Sequence, residues 1–209
     1  MRDMREIVER GYEEGDYVGA YRLDDNMDNY PLEKKNIDRL IESLPKNASI
    51  LDLGCGPGIP YDKYLVERAF KVTGVDSSQK HINLAKRNVP GATFVRGDMT
   101  SVDFGEESFD AIVSLYAIFH IPKKEHRDLF LKIHRTLKEN GLTLVTLGTI
   151  PEYEGDVGDF IGSKMVWSSH SMEDNLQLVE DCGFEIVHWE EEGKKGYPEH
   201  HLWVLARKS

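Results

Sequence analysis

The sequence predicts an α/β fold: a seven-stranded sheet, mostly parallel with a C-terminal antiparallel hairpin strand, and helices on both faces. Three observations predict it. Short apolar segments alternate with amphipathic ones from residue 33 onward, the pattern of strands and helices wound into a parallel sheet. Segments such as "FDAIVSLYAI" (109–118) are too continuously apolar for a strand with one wet face, so helices must cover both sides. The last two strand-like segments, "EIVHWEEE" (185–192) and "HHLWVLARK" (200–208), flank a turn-like "GKKGYP" and read as a hairpin.

Residues 1–30 carry Tyr12, Tyr17, Tyr21 and Tyr30 among many acids, and form a peripheral segment able to fold over a site as a cap. In 33–44, "EKKNIDRLIESL", Ile37, Leu40, Ile41 and Leu44 share one helical stripe. "ASILDLG" follows as the first strand and "FKVTGVD" as the second, ending at Asp76. "SSQKHINLAKRN" is a helix capped by Ser77 or Ser78. "ATFVRGD" and "FDAIVSLYAI" are the third and fourth strands. "KKEHRDLFLKIHRTLKEN" (123–140) reads as a helix with Phe130, Ile133 and Leu137 on a stripe, Gly141 standing where a left-handed C-cap belongs. "LTLVTLGT" is the fifth strand. Residues 150–170, rich in glycine, acids and aromatics, suit an ordered insertion or lid over the acceptor site. "MEDNLQLVEDCGF" closes the helices, with Leu176 and Val179 inward and Gly183 at its end.

All this fits one domain, 1–209. The formal net charge of −11 disfavours a phosphate backbone as the main partner. Neither a signal-type apolar segment at "MRDMREIVER" nor a run of the roughly 18 apolar residues needed for a span is present. Cys55 and Cys182 are too few and too far apart for a disulfide scaffold or a cysteine metal site. The expectation is a reduced, cytoplasmic protein without a metal, a monomer or homodimer, acting apart from membranes and nucleic acid.

In open parallel sheets ligands bind beyond the carboxyl ends of the strands. Chemistry is therefore expected at residues 54–58, Asp76, Asp98 and 114–120. "ILDLGCGPG" (50–58) places Gly54, Gly56 and Gly58 on alternate positions. A P-loop needs a lysine and a hydroxyl residue after the last glycine, and neither follows. A dinucleotide fingerprint needs its third glycine one residue later.

Four ordered segments, "ILDLGCGPG", "VTGVDSS", "FVRGDM" and "FDAIVSLYAIFHIP", resemble the class I S-adenosylmethionine-dependent methyltransferases over about residues 31–208. The resemblance implies a Rossmann-like sheet with S-adenosylmethionine as cofactor and S-adenosylhomocysteine as product. It implies that Asp76 accepts the ribose hydroxyls, that Asp98 accepts from the adenine amino group with Met99 beside the ring, and that Asp52 holds the methionine amino group. Ser114 offers that group its backbone carbonyl, and Ser77 and Leu115 complete the cofactor set with the three glycines. The physical chemistry agrees at Asp76: an aspartate there binds a diol and repels a phosphate. Taken singly, Asp76 and Asp98 also read as turn residues. Cys55 reads as loop packing.

Methyl transfer from a sulfonium is an in-line displacement that needs positioning and dryness, with a base where the acceptor must lose a proton. The candidates at the mouth are His120, Tyr116 and His170. Each histidine has a plain alternative, a carbonyl bond for His120 and helix capping for His170. His200 and His201 alternate faces on the last strand, so at most one points inward. "SLYA" after the fourth strand lacks the Pro-Pro and aromatic of base amino-methyltransferases, and two thiols do not serve arsenic. What remains is a small-molecule substrate under an aromatic cap from Tyr17, Tyr21, Phe160 and Trp167. A protein substrate and a non-catalytic cofactor-binding partner subunit are the alternatives.

Overall fold

The computed structural model describes residues 4–21, 24–151, 154–160, 162–193 and 200–209. The predicted turn in "GKKGYP" lies largely outside them.

Two short helices lead the chain, α1 (Met4–Glu14) and α2 (Tyr17–Tyr21), followed by α3 (Pro31–Glu42). Then come β1 (Ser49–Leu53), α4 (Tyr61–Glu67), β2 (Lys71–Asp76), α5 (Gln79–Asn88), β3 (Thr93–Arg96) and β4 (Phe109–Ser114). The second half contains α6 (His126–Thr136), β5 (Leu137–Gly148), β6 (Glu154–Phe160), β7 (Ser163–Ser168), α7 (Met172–Asp181), β8 (Phe184–Gly193) and β9 (His200–Lys208).

Seven strands form one sheet in the order β3-β2-β1-β4-β5-β9-β8. The first five run parallel, and β9 enters antiparallel between β5 and β8. The winding reverses between β1 and β4, which opens a crevice at the carboxyl ends of the central strands. Neighbouring residues of one strand serve opposite cores, which explains the unbroken apolar runs. Ile50 packs with Ile37 and Leu40 of α3 and Leu65 of α4, whereas Leu51 packs with Leu129, Phe130 and Ile133 of α6. Each such fully buried side chain contributes about 1.5–3 kcal/mol.

Local chemistry sets the helix ends. The Ser78 hydroxyl caps α5 by accepting from the His81 N–H at 3.1 Å, and Ser171 caps α7 through Asp174 at the same distance. Gly183, at φ +91°, ends the α7 turn.

Three expectations are corrected. Helix α6 stops at Thr136 rather than near 140, because Leu137 is drawn into the sheet opposite Phe109. Gly141 therefore lies inside β5, and Asn140, at φ +61°, takes the left-handed position. Strand β4 ends at Ser114, where Tyr116 turns the backbone to φ +56°. The sequence also conceals α4, whose two turns follow the glycine segment closely.

Residues 154–160 and 163–168 form a separate antiparallel hairpin, β6–β7. Met165 and Val166 of this hairpin pack against Val8 of α1, tying the N-terminal helix to the hairpin across the top of the sheet.

Candidate functional site

The carboxyl ends of β1 to β4 open onto a cavity of about 170 Å³, roofed by α1 and by Tyr17 of α2. After β1 the backbone takes positive φ at Gly54 (+89°), Gly56 (+54°) and Gly58 (+75°). A Cβ on Gly54 would collide with that of Ala117 and lie 3.3 Å from the Met99 methyl, so this turn admits glycine alone. Gly54 and Gly56 line the cavity. Gly58 instead faces Val89 and Phe94, letting α5 close on the turn.

Asp76 holds that turn in place. Its Oδ2 accepts the Gly56 N–H at 2.9 Å and its Oδ1 the Ser78 N–H at 2.8 Å. It lines the cavity with Ser77. Asp98 and Met99 line it after β3, and Leu115 after β4. The Asp98 carboxylate accepts from Arg5 Nε at 2.7 Å and from the N–H and hydroxyl of Thr100, both at 2.8 Å. The Arg5 guanidinium reaches on to Glu125, so α1 is pinned to the cavity rim.

Of the remaining predicted residues, Tyr116 and His120 line the cavity and Asp52, Ser114 and His170 do not. Ser114 is fully buried and its hydroxyl donates to the Leu53 carbonyl at 2.7 Å, outside the cavity lining. Asp52 is also buried behind the lining, against Asp62 of α4, a residue that sequence reasoning passed over with its helix. Burial, with the neighbouring acidic charges, pushes both carboxyl groups up. His170 does not line the cavity: its Nε2 donates to the Lys123 carbonyl at 3.2 Å and its ring packs on His126. Tyr116 lines the cavity, but its hydroxyl donates to Glu192 at 2.9 Å, where the Trp203 indole also donates at 3.0 Å. Burial pushes the Tyr116 phenol far up, which suits it to structure better than to proton transfer. Burial likewise pushes the Cys55 thiol up, in keeping with loop packing. Of the last-strand histidines, His201 turns inward, stacked on Phe119, and His200 is part-exposed beside Glu191.

His120 also lines the cavity, on a short 3-10 turn after β4. Its Nδ1 is 2.9 Å from the Val166 carbonyl and its Nε2 2.9 Å from the Tyr12 hydroxyl. A carbonyl only accepts, so Nδ1 carries the proton and Nε2 receives the Tyr12 O–H. Burial pushes the imidazole down to about 4, which keeps it neutral near pH 7. Tyr12 also packs on Tyr17 and His81, and Phe160 bridges Tyr21 to Trp167 above. The sequence offered no spacing that could pair residues 12 and 120.

Among the described residues lining the cavity, the one cation, Arg5, is committed to Asp98 and Glu125. A phosphate would find no free positive partner there, whereas a glycine cradle next to an aspartate fits an uncharged nucleoside. Fold and site together define an open α/β domain with a glycine cradle and an aspartate at the switch point of its sheet. Residues 50–141 match a family described as a methyltransferase domain. The chain is 36% identical over 100 residues to an uncharacterized methyltransferase of Synechocystis, covering 48% of this chain and 47% of that protein. It is 33% identical over 150 residues to phosphoethanolamine N-methyltransferase of Plasmodium falciparum, covering 69% and 56% respectively. The chain thus spans about half the length of these curated relatives. An S-adenosylmethionine-dependent methyltransferase structure from Methanosarcina mazei superposes with a TM-score of 0.69 at 22% identity, over 81% of this chain and 96% of that one. The chain belongs to the class I S-adenosylmethionine-dependent methyltransferase family.

Among the described residues no helix is long and apolar enough to cross a membrane, and no cluster of three or more His, Cys, Asp or Glu is placed to hold a metal.

Proposed function

We propose that this chain transfers a methyl group from S-adenosylmethionine to a small-molecule acceptor held between α1, His120 and the β6–β7 hairpin. The observation that carries the reading is the Tyr12–His120 pair facing the same cavity as Gly54 and Asp76. When bound, the sulfonium supplies an already activated methyl carbon. Gly54 and Gly56 give backbone approach to the nucleoside, Asp76 takes the ribose hydroxyls, and Met99 and Leu115 flank the base.

Helix α1 and the hairpin exclude water, which strengthens every contact beneath them. An acceptor that must lose a proton, such as a phenol or an amine, gives it to the Tyr12 oxygen as the Tyr12 proton passes to Nε2 of His120. The protonated imidazole then donates from both nitrogens, to Tyr12 and to the Val166 carbonyl. Relatives named for phosphoethanolamine and for sterols modify small molecules, which supports the same class of acceptor here.

The test supplies the protein with methyl-deuterated S-adenosylmethionine and a cell lysate separated into small-molecule and protein pools, each read by mass spectrometry. Label in the small-molecule pool is the expected result. Label confined to protein would make this a protein methyltransferase, and label in neither would make it a non-catalytic binding subunit.

A further inference from the structure

His81 is the third residue of α5, its ring is 2% exposed, and it lines the cavity beside Asp76. Neither ring nitrogen has a hydrogen-bond partner among the described residues. Nδ1 stands 3.5 Å from the Asp76 carboxylate, and the rings of Tyr12 and Tyr17 cover the imidazole at 5.2 and 5.6 Å. Buried polar groups in folded proteins are bonded, so an imidazole with both nitrogens idle in a cavity wall is incomplete without a ligand. A methionine or leucine would pack as well beneath two tyrosines at no polar cost.

The neighbouring groups define what the ligand must offer. Asp76 only accepts, and each of its oxygens already takes one backbone N–H, leaving a second lone pair on each. Hydroxyls that donate to Asp76 still have lone pairs of their own to satisfy, and an imidazole always carries at least one N–H that can meet one of them. Asp76 and His81 together are complementary to a vicinal diol, one as acceptor and the other as donor. We infer that His81 is a specificity-determining residue that hydrogen-bonds a ribose hydroxyl of the methyl donor and selects ribose over deoxyribose. The inference rests on the reading of the cavity as the donor site and adds to it the residue that reads the sugar.

Isothermal titration with S-adenosylhomocysteine and its 2′-deoxy and 3′-deoxy analogues tests it on the wild type, His81→Leu and His81→Met. The wild type binds one deoxy analogue about tenfold or more weaker than its partner analogue. Either apolar variant binds S-adenosylhomocysteine about tenfold weaker, and its discrimination between the two analogues falls to less than threefold. Equal affinity of the wild type for both deoxy analogues overturns the inference without any variant, as does a folded apolar variant that keeps wild-type affinity or wild-type discrimination. Failure of the wild type to bind S-adenosylhomocysteine at all is a different result and removes the donor-site reading itself. Thermal melting of each variant separates lost binding from lost folding.

Discussion

The Tyr12 phenol donates to Nε2 of His120 at 2.9 Å while Nδ1 of the same ring donates to the Val166 carbonyl, so one imidazole joins the N-terminal helix to the β6–β7 hairpin. The pair has a base's geometry and a neutral ring. Replacing His120 by Phe is expected to lower kcat by about 10²–10⁴-fold toward a proton-bearing acceptor while donor affinity changes little. Because burial holds His120 near 4, kcat of the wild type stays level from pH 6 to 8 so far as this ring governs it. Steady-state kinetics with titrated donor checks both points, and an unchanged kcat in the variant would remove His120 from the chemistry.

Asp76 both shapes the glycine turn, through the Gly56 N–H, and faces the cavity. Asp76→Ala removes acceptor bonds to a charged group, worth about 1.5–3 kcal/mol. Donor affinity by calorimetry is expected to fall on the order of 10- to 100-fold. Retention of wild-type affinity would show that the ribose lies elsewhere.

At Gly54 the backbone sits at φ +89° and the space for a Cβ is already filled by Ala117. Gly54→Ala should cost about 1–3 kcal/mol from the backbone conformation, with the steric clash added, seen as a lower urea midpoint. Donor binding should weaken in parallel, since relief of the clash moves Ala117 or the turn. A variant as stable as wild type would contradict the packing of this turn.

Stability should respond to pH through two opposed sets of groups. His120 and His126 are both pushed down to about 4 by burial. Their contribution is complete above the ordinary histidine value of about 6.5 and is lost as pH falls toward 4, at about 1.4 kcal/mol per pH unit for each ring. The Asp52–Asp62 pair is pushed up, so its contribution is complete below about 4 and is lost as pH rises through the raised values. Across pH 4.5 to 6.5 the two sets have opposite slopes, so urea unfolding of the wild type shows a nearly level profile. His126→Phe should tilt it downward with rising pH and Asp62→Asn should tilt it upward; parallel profiles in all three proteins would refute the assignment.

Much of the architecture was written in the apolar pattern, because a strand buried on both faces leaves an unbroken run and its terminal turn leaves glycines and acids. What escaped was decided by distant contacts. Nothing local in "RTLKENG" says that Leu137 leaves its helix to pair with Phe109; the helix-forming lysine and glutamate argue for continuing it. The cofactor-side loops were legible as a linear order of motifs. Tyr12, Arg5 and His81 were not legible as site residues, since Tyr12 meets His120 across 108 positions and Arg5 meets Asp98 across 93. His170 misled for the complementary reason: its place before α7 looked like a mouth, while the carbonyl of Lys123 claims its ring.

The position of β9 between β5 and β8 has a consequence for synthesis. When β5 emerges from the ribosome, one of its edges has no neighbour until residues 200–208 have been made. For that interval the nascent domain presents a long, apolar, open edge of the kind that recruits chaperones or other nascent chains. The first five strands can assemble early, but the sheet reaches its full order only when the strand made last is inserted between β5 and the edge strand β8.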